Sequence, residues 1–183
     1  MTTSLNHIKG KTFFRLLFGK TAFTLLSVLG IAILYIVLMS TVNHKELPFP
    51  YIILTLATIK TWFISSTTLK QLSKLIKVCH SLEQLLWVFG LLIMVSLLSF
   101  ATDYSCLYQF DPQTFEGVPT YSNTYVYNLY HFFYFSVVTF STVGYGDIVP
   151  SSDIARFVVI LETFLSFFII VFALANIKKI HIK

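Results

Sequence analysis

Charged side chains are scarce in this chain. Asp, Glu, Lys and Arg make up 11% of its 183 residues, whereas hydrophobic residues make up 56% and the mean hydropathy is +0.77. Soluble domains carry about 25% charged residues, so the composition excludes an ordinary soluble domain and predicts a membrane protein. The net charge of +5 comes from Lys and Arg scattered at the ends of apolar runs, which indicates membrane topology and not nucleic-acid binding.

Cysteines and catalytic groupings are scarce as well. The two cysteines, Cys79 and Cys106, do not have the spacing of a metal or redox site. The topology predicted below places them on opposite membrane faces, which excludes a bond between them within one chain but leaves open a bond between subunits through Cys106. The sequence contains no general acid–base pair, nucleophile arrangement or metal-ligand cluster. It therefore predicts neither an enzyme nor a cofactor.

Long apolar runs are what the chain has in abundance. A helix needs about 20 apolar residues to cross a hydrocarbon core of roughly 30 Å. Four runs meet this requirement: 21–42, 51–69, 82–102 and 154–177. Residues 128–140 would form a helix of only about 20 Å, which is too short to cross and predicts a re-entrant helix. The predicted fold class is thus an all-α membrane protein with four transmembrane helices and one re-entrant helix.

Basic residues lie mainly at one side of the predicted spans. They precede the first span, follow the second and follow the fourth (Lys9, Lys11, Arg15 and Lys20; Lys70, Lys74 and Lys77; Lys178, Lys179 and Lys183). Because Lys and Arg mark the cytoplasmic side, both termini are predicted to be cytoplasmic, as an N-terminal segment 1–20 and a tail 178–183. We expect a plasma-membrane location. A cleaved signal peptide is the alternative for the N-terminus, and the long first run without a clear cleavage site disfavours it.

A basic segment, residues 70–81, follows a predicted two-helix hairpin, 21–69. Lys70, Lys74 and Lys77 fall on one helical face, which predicts an interfacial linker helix that contacts anionic lipid. The alternative is a vestigial voltage sensor. A sensor needs several cations within the membrane field, and the span 51–69 contains only Lys60. Strong voltage sensing is therefore not expected.

The segment S-T-V-G-Y-G-D-I-V-P, residues 141–150, follows the re-entrant helix. Irregular backbone at membrane depth occurs only where it is buried in protein or lines a water-filled path. Glycine adopts positive φ without steric cost, so Gly144 and Gly146 allow successive carbonyl groups to turn to the same side. Several copies around an axis would form oxygen cages that replace the hydration shell of a cation.

The residues T-F-S-T-V-G-Y-G-D, 139–147, strongly resemble the signature of the potassium-channel pore family. The resemblance extends over residues 82–177 as a pore module. Its parts would be an outer helix 82–102, a turret 103–127, a pore helix 128–140, a filter 141–147 and an inner helix 154–177.

The resemblance implies a fourfold homotetramer that conducts potassium, with the filter residues 142–146 as the ion-binding segment. The carbonyls of Thr142, Val143, Gly144 and Tyr145 would coordinate K⁺, and the Thr142 hydroxyl would form the innermost site. Val143 and Tyr145 side chains would point away from the ions and pack against the pore helix. Asp147 would attract cations at the outer mouth.

Four positions depart from the family pattern. Tyr134 and Phe135 stand where many relatives have two tryptophans; Tyr134 can still donate a hydrogen bond to Asp147, and Phe135 cannot donate. Val138 replaces a glutamate that pairs with the filter aspartate in some relatives. Ser166 is nearest to the position of a hinge glycine, and no glycine follows Asp147 until the end of the chain. Filter support and gating are the features that these departures affect.

Apolar residues recur at helical spacing on the inner helix. Phe167, Ile170 and Leu174 are candidates for a hydrophobic constriction that gates the cavity by dewetting. Ordinary lipid or helix contact is the alternative. His131, on the pore helix, is interpreted as a packed aromatic side chain, with a pH sensor as the alternative.

Two charges fall inside predicted spans. Lys60 and Glu162 lie at similar depth, roughly 12–14 Å from the outer surface, and intramembrane charges usually pair or face water. We therefore predict a Lys60–Glu162 ion pair within or between subunits. The alternatives are that Glu162 bonds to hydroxyl groups behind the filter and that Lys60 faces a polar groove lined by Thr58 and Thr61.

The function predicted from these features is passive, potassium-selective conduction. The expected partners are copies of the same chain and membrane lipid, and no nucleic acid. Two other functions remain as alternatives. A potassium transporter subunit is disfavoured because such chains typically join four units with reduced filters. A non-conducting regulatory relative would form tetramers that carry no current.

Overall fold

The computed structural model describes residues 49–76, 82–119 and 125–177, together with residues 30 and 33. Its elements, in chain order, are helices, two short strands and one 3₁₀ turn: α1 (Phe49–Ile76), α2 (Leu82–Phe110), the 3₁₀ turn (Pro112–Thr114), β1 (Phe115–Glu116), α3 (Tyr125–Phe140), β2 (Val149–Pro150) and α4 (Asp153–Ile177). The rest of the first predicted span, both predicted cytoplasmic segments, Lys77 and Cys79 lie outside the described residues.

Two helices within the described residues are long and apolar enough to cross a membrane. They cover Phe89–Phe110 in α2 and Asp153–Ala175 in α4, which correspond to the predicted outer and inner helices. Helix α1 has 28 residues, a length of about 42 Å. It continues through residues 70–76, so the first part of the predicted linker is continuous with the helix that precedes it.

Helix α2 is longer than the sequence predicts. It continues past Thr102 to Phe110, because Asp103, which the sequence places in a loop, is completely buried within the protein. The helix ends where Asp111 caps the following turn: its side chain accepts a hydrogen bond from the Gln113 amide at 2.9 Å, and Pro112 occupies the first position of the turn. An Asp cap before proline is a typical start of a helical turn.

Helix α3 packs against α2 and β1 through an aromatic cluster. Tyr104 of α2 contacts Phe135 of α3 edge-on at 5.2 Å between ring centroids, and Phe115 contacts Phe132 at 4.9 Å. Edge-to-face pairs of this kind add about 0.5–1.5 kcal/mol to the burial of the rings. The cluster therefore fixes α3, which carries the filter, against the rest of the fold.

A small antiparallel sheet joins the loop before α3 to the loop after the filter. Phe115 is opposite Pro150, and Glu116 is opposite Val149. Next to this sheet Gly117 has a φ of +80°, and a Cβ added there would lie 1.7 Å from the carbonyl oxygen of Asp147. Only glycine fits this approach, so the turret segment directly contacts the outer end of the filter.

Candidate functional site

The filter begins as the C-terminal cap of α3. The Val143 amide donates to the Val138 carbonyl at 3.1 Å, and the Thr142 amide donates to the Thr139 carbonyl at 3.0 Å. This pair of bonds is a Schellman motif, in which the residue after the cap adopts the left-handed conformation. Thr142 holds that position with a φ of +58°. A β-branched residue is unusual there, and the conformation costs about 1–2 kcal/mol.

Left-handed backbone recurs at every second residue of the filter. Thr142 and Gly144 have φ of +58°, Gly146 has φ of +77°, and neither Val143 nor Tyr145 has a positive φ. Such alternation turns successive carbonyl groups toward the same side of the chain. The glycines predict two of these positions, and the third, Thr142, has no signal in the sequence because threonine disfavours positive φ.

The filter side chains project away from the chain's own core. Val143 is 52% exposed and Tyr145 is 70% exposed. The expectation that they pack against the pore helix is therefore not met within one chain.

Tyr134 supports the outer end of the filter. Its hydroxyl donates to Asp147 Oδ2 at 2.7 Å, which is the hydrogen bond that the sequence allows, and the Ile148 amide donates to Asp147 Oδ1 at 3.0 Å. The Tyr134 hydrogen bond is the main cause that lowers the pKa of Asp147 below its ordinary value. The same bond raises the pKa of Tyr134 to about 12. Asp147 is thus held as a carboxylate at the end of the filter.

Phe135 and Val138 are buried, each with 7% exposure. Phe135 packs against Tyr104 and Phe115, so it supports the filter by filling space where a tryptophan would also donate a hydrogen bond. The Val138 side chain lies in the protein interior, and its carbonyl accepts the Val143 amide.

The candidate gate residues share an exposed position on α4. Phe167, Ile170 and Leu174 are 67%, 41% and 62% exposed in the single chain. Phe167 also borders a groove of about 530 Å³ between α1 and α4. Ser166 is buried, its hydroxyl donates to the Thr163 carbonyl at 2.8 Å, and the helix runs through it without interruption.

The predicted Lys60–Glu162 ion pair is wrong. Lys60 Nζ forms its ion pair with Asp103 of α2, donates to the Ser99 carbonyl at 3.1 Å and lies 5.3 Å from the Phe100 ring centroid. The predicted pair is wrong because the outer helix continues past Thr102 and includes Asp103. The sequence places that residue in a solvated loop instead of at the depth of Lys60.

Glu162 instead bonds to hydroxyl groups behind the filter, as in the alternative that the sequence left open. The Tyr104 hydroxyl donates to Glu162 Oε2 at 2.6 Å, and Ser136 Oγ lies 2.5 Å from Glu162 Oε1. Asp103, Tyr104 and Ser136 were not identified from the sequence. The available signal was Asp103 itself, an acidic residue directly after an apolar run.

The structure also bears on the predictions for His131, Cys106 and the basic segment. The His131 ring packs against Tyr127 at 4.5 Å and Tyr130 at 5.5 Å, as expected for a packed aromatic side chain. Cys106 is 1% exposed within one chain, which disfavours a bond between subunits. Lys70 and Lys74 lie in α1, but the positions of their side chains are not described.

Comparison with known proteins identifies the family. The family model described as "Ion channel" matches residues 90–183, just over half of the chain, including α3, the filter and α4. The chain belongs to the ion channel family. This channel is therefore a membrane protein of ion transport and not an enzyme.

Two relatives are named as potassium channels. The channel is 44% identical over 75 residues to Two-pore potassium channel 4 of Arabidopsis thaliana, a match that covers 41% of this chain and 24% of that protein. It is 32% identical over 81 residues to Potassium channel K2 of Plasmodium berghei (strain Anka), covering 44% of this chain and 5% of that protein. The channel thus spans a quarter or less of the length of these relatives. The matches confirm the resemblance to the potassium-channel pore family, and no solved structure matches the chain.

Proposed function

We propose that four copies of this channel assemble around residues 142–146 and conduct K⁺ passively and selectively across the membrane. The observation that carries the proposal is the left-handed backbone at Thr142, Gly144 and Gly146. Alternation at these positions presents a row of carbonyl oxygens on one side of the filter. Stacked carbonyl cages suit an alkali cation, because they replace its hydration shell at several sites in series.

Each filter residue has a role in this proposal. The carbonyl groups of Thr142, Val143, Gly144 and Tyr145 hold K⁺, with the Thr142 hydroxyl at the innermost site. The Asp147 carboxylate, kept ionised by Tyr134, raises the local cation concentration at the outer mouth.

Exposed apolar surface supports the fourfold assembly. Val143 and Tyr145 are largely exposed in one chain, and so are Phe164 and Phe167 of α4, at 71% and 67%. One filter segment cannot enclose an ion, whereas a closed ring of identical chains can. Neighbouring copies would cover Val143 and Tyr145 and hold the filter open from behind.

The gate is proposed at the inner end of the same pathway. Phe167, Ile170 and Leu174 of four chains would form the hydrophobic constriction. Since α4 is unbroken at Ser166, the constriction opens by movement of the helix as a unit and not by a bend at a glycine.

The membrane arrangement is part of the proposal. Four spans with both termini in the cytoplasm would place α1 at the periphery of the plasma-membrane channel. The basic face of Lys70, Lys74 and Lys77 would then contact anionic headgroups on the inner leaflet.

Purified protein in a planar bilayer provides the test. With potassium on both sides at different concentrations and sodium exchanged for part of it, the reversal potential should follow the potassium gradient. A reversal potential that ignores this gradient would contradict the proposed selectivity. Tetramers that carry no current would favour a non-conducting relative, and coupled uptake would favour a transporter subunit.

A matched pair of glycine variants makes the test specific to the filter. Gly144→Ala places a side chain on a backbone with φ of +58°, whereas Gly90→Ala adds one in open space on helix α2. The first variant should lose potassium current and the second should retain it. Equal effects of the two would contradict a role of the Gly144 conformation in conduction.

A further inference from the structure

Glu162 is a buried acid that the proposed conduction mechanism does not use. It lies in the middle of α4 with 1% exposure, and its two neighbouring hydroxyl groups belong to Tyr104 of α2 and Ser136 of α3, each with 0% exposure. Ser136 is one turn before α3 ends at Phe140. The three side chains therefore connect the outer and inner helices to the helix that carries the filter.

The hydrogen bonds of Ser136 indicate the protonation state of Glu162. Ser136 Oγ lies 3.1 Å from the Leu97 carbonyl and 2.5 Å from Glu162 Oε1. Both oxygens would be acceptors if Glu162 were a carboxylate, yet a serine hydroxyl can donate only one hydrogen. One of the two oxygen–oxygen contacts of Ser136 Oγ would then lack the hydrogen that a hydrogen bond requires.

A neutral carboxylic acid satisfies every contact. Glu162 Oε1–H donates to Ser136 Oγ, the Ser136 hydroxyl donates to the Leu97 carbonyl, and the Tyr104 hydroxyl donates to Glu162 Oε2 at 2.6 Å. Buried polar networks are stable when each member has its partner. This arrangement leaves no hydrogen missing and none unused.

The surrounding charges agree with the neutral form. In the parts of the chain that the structure describes, the ion pairs are Lys60–Asp103 and Arg156–Asp153, and neither includes Glu162. An ionised carboxylate without a cation is expensive to bury, whereas a hydrogen-bonded neutral acid is not.

We propose that Glu162 is a positioning residue of the filter that works as a neutral carboxylic acid, joining α4 and α2 to α3 one turn before the filter begins. The part of this inference that concerns conduction rests on the proposed function. The protonation state does not, so it is tested separately.

Infrared spectroscopy of the purified protein at neutral pH tests the protonation state without any need for current. Wild-type protein should show a carbonyl band of a protonated carboxylic acid that is absent from Glu162→Gln. Glu116→Gln, which changes an exposed glutamate, should leave the band in place. A wild-type spectrum without a band that depends on Glu162 would overturn the proposal.

Potassium flux through reconstituted variants tests the positioning role. Glu162→Gln keeps a carbonyl acceptor for Tyr104 and offers an N–H donor to Ser136 in nearly the same shape, so its flux and selectivity should stay close to those of the wild type. Glu162→Ala removes both hydrogen bonds, and its flux should fall about tenfold. If Glu162→Gln loses as much flux as Glu162→Ala, an ionised carboxylate is required and the proposal is wrong. A failure of the proposed function itself would appear as absent flux in the wild type, with the infrared result unaffected.

Discussion

At the scale of single residues, the filter combines an ordinary sequence with one strained position. Gly144 and Gly146 adopt positive φ at no steric cost, whereas Thr142 adopts it as a β-branched residue. Strain of this kind persists where the surrounding structure fixes the residue, and it is concentrated at functional sites. Here the two hydrogen bonds at the end of α3 fix Thr142, and a residue with a side-chain hydroxyl is needed there if that hydroxyl is to face an ion.

Replacement of Tyr134 by phenylalanine should raise the pKa of Asp147. The hydroxyl hydrogen bond is the largest cause that lowers this pKa. A carboxyl group whose pKa is lowered in the folded protein stabilises the fold at a pH above its unfolded-state pKa. This stabilisation is lost as the pH falls through the folded-state pKa. In Tyr134→Phe the acid inhibition of potassium current should therefore begin at a higher pH than in the wild type.

Tyr130→Phe is the matched control, because Tyr130 lies on the same helix with 68% exposure. Its pH profile, recorded with external pH varied at constant internal pH, should coincide with that of the wild type. If the Tyr134→Phe profile coincided with those of the wild type and Tyr130→Phe, the Tyr134 hydrogen bond would not set the pKa of Asp147.

At the scale of elements, buried polar contacts join the helices at two neighbouring positions of α2. Asp103 binds Lys60 of α1, and Tyr104 binds Glu162 of α4. Helix α2 therefore contacts the peripheral helix through one residue and the inner helix through the next. A displacement of α1 would therefore act on α2 at Asp103, directly beside Tyr104, which bonds to Glu162.

Removal of either member of the Lys60–Asp103 pair should destabilise the protein strongly. Lys60→Met or Asp103→Leu breaks this buried ion pair from one side, which costs about 3–5 kcal/mol. The double variant replaces both charges by apolar groups and should regain most of the lost stability. Thermal unfolding in detergent, analysed as a double-mutant cycle, measures this coupling.

The combination of Lys60 and Glu162, which do not pair in the structure, provides the control for that cycle. Lys60→Met combined with Glu162→Leu should show no comparable recovery, since these residues are not partners. Strong recovery in this combination and none with Asp103→Leu would contradict the assignment.

At the scale of the whole molecule, the proposed pore needs more than one chain. The filter side chains and one face of α4 are exposed, while α3 is fixed on its other sides by α2, α4 and the aromatic cluster. The small sheet and Gly117 hold the turret against the end of the filter. In the proposed tetramer, neighbouring chains would cover these exposed side chains.

Mixed assembly should reveal the number of chains in a pore. When wild type and the inactive Gly144→Ala variant are produced in equal amounts, random mixing leaves roughly one sixteenth of fourfold assemblies entirely wild type. If one defective chain stops conduction, the potassium current should fall to about that fraction. A current reduced only by half would indicate that each chain conducts independently, contrary to the tetramer proposal.

The sequence alone determined the features that depend on local chemistry. Apolar runs gave the outer and inner helices, the short run 128–140 indicated the pore helix, and the paired glycines located the filter. Each of these follows from residues close together in the chain, because helix length, glycine conformation and the avoidance of charge in lipid are local constraints.

Only the tertiary structure decided which buried groups meet. Lys60 and Asp103 are 43 positions apart, and Tyr104 and Glu162 are 58 apart; their pairing depends on how far each helix extends and how its faces rotate against the others. The sequence placed Lys60 and Glu162 at equal depth, but depth does not specify a partner. The positive φ at Thr142 was likewise decided by the helix cap that holds it, against the residue's own preference.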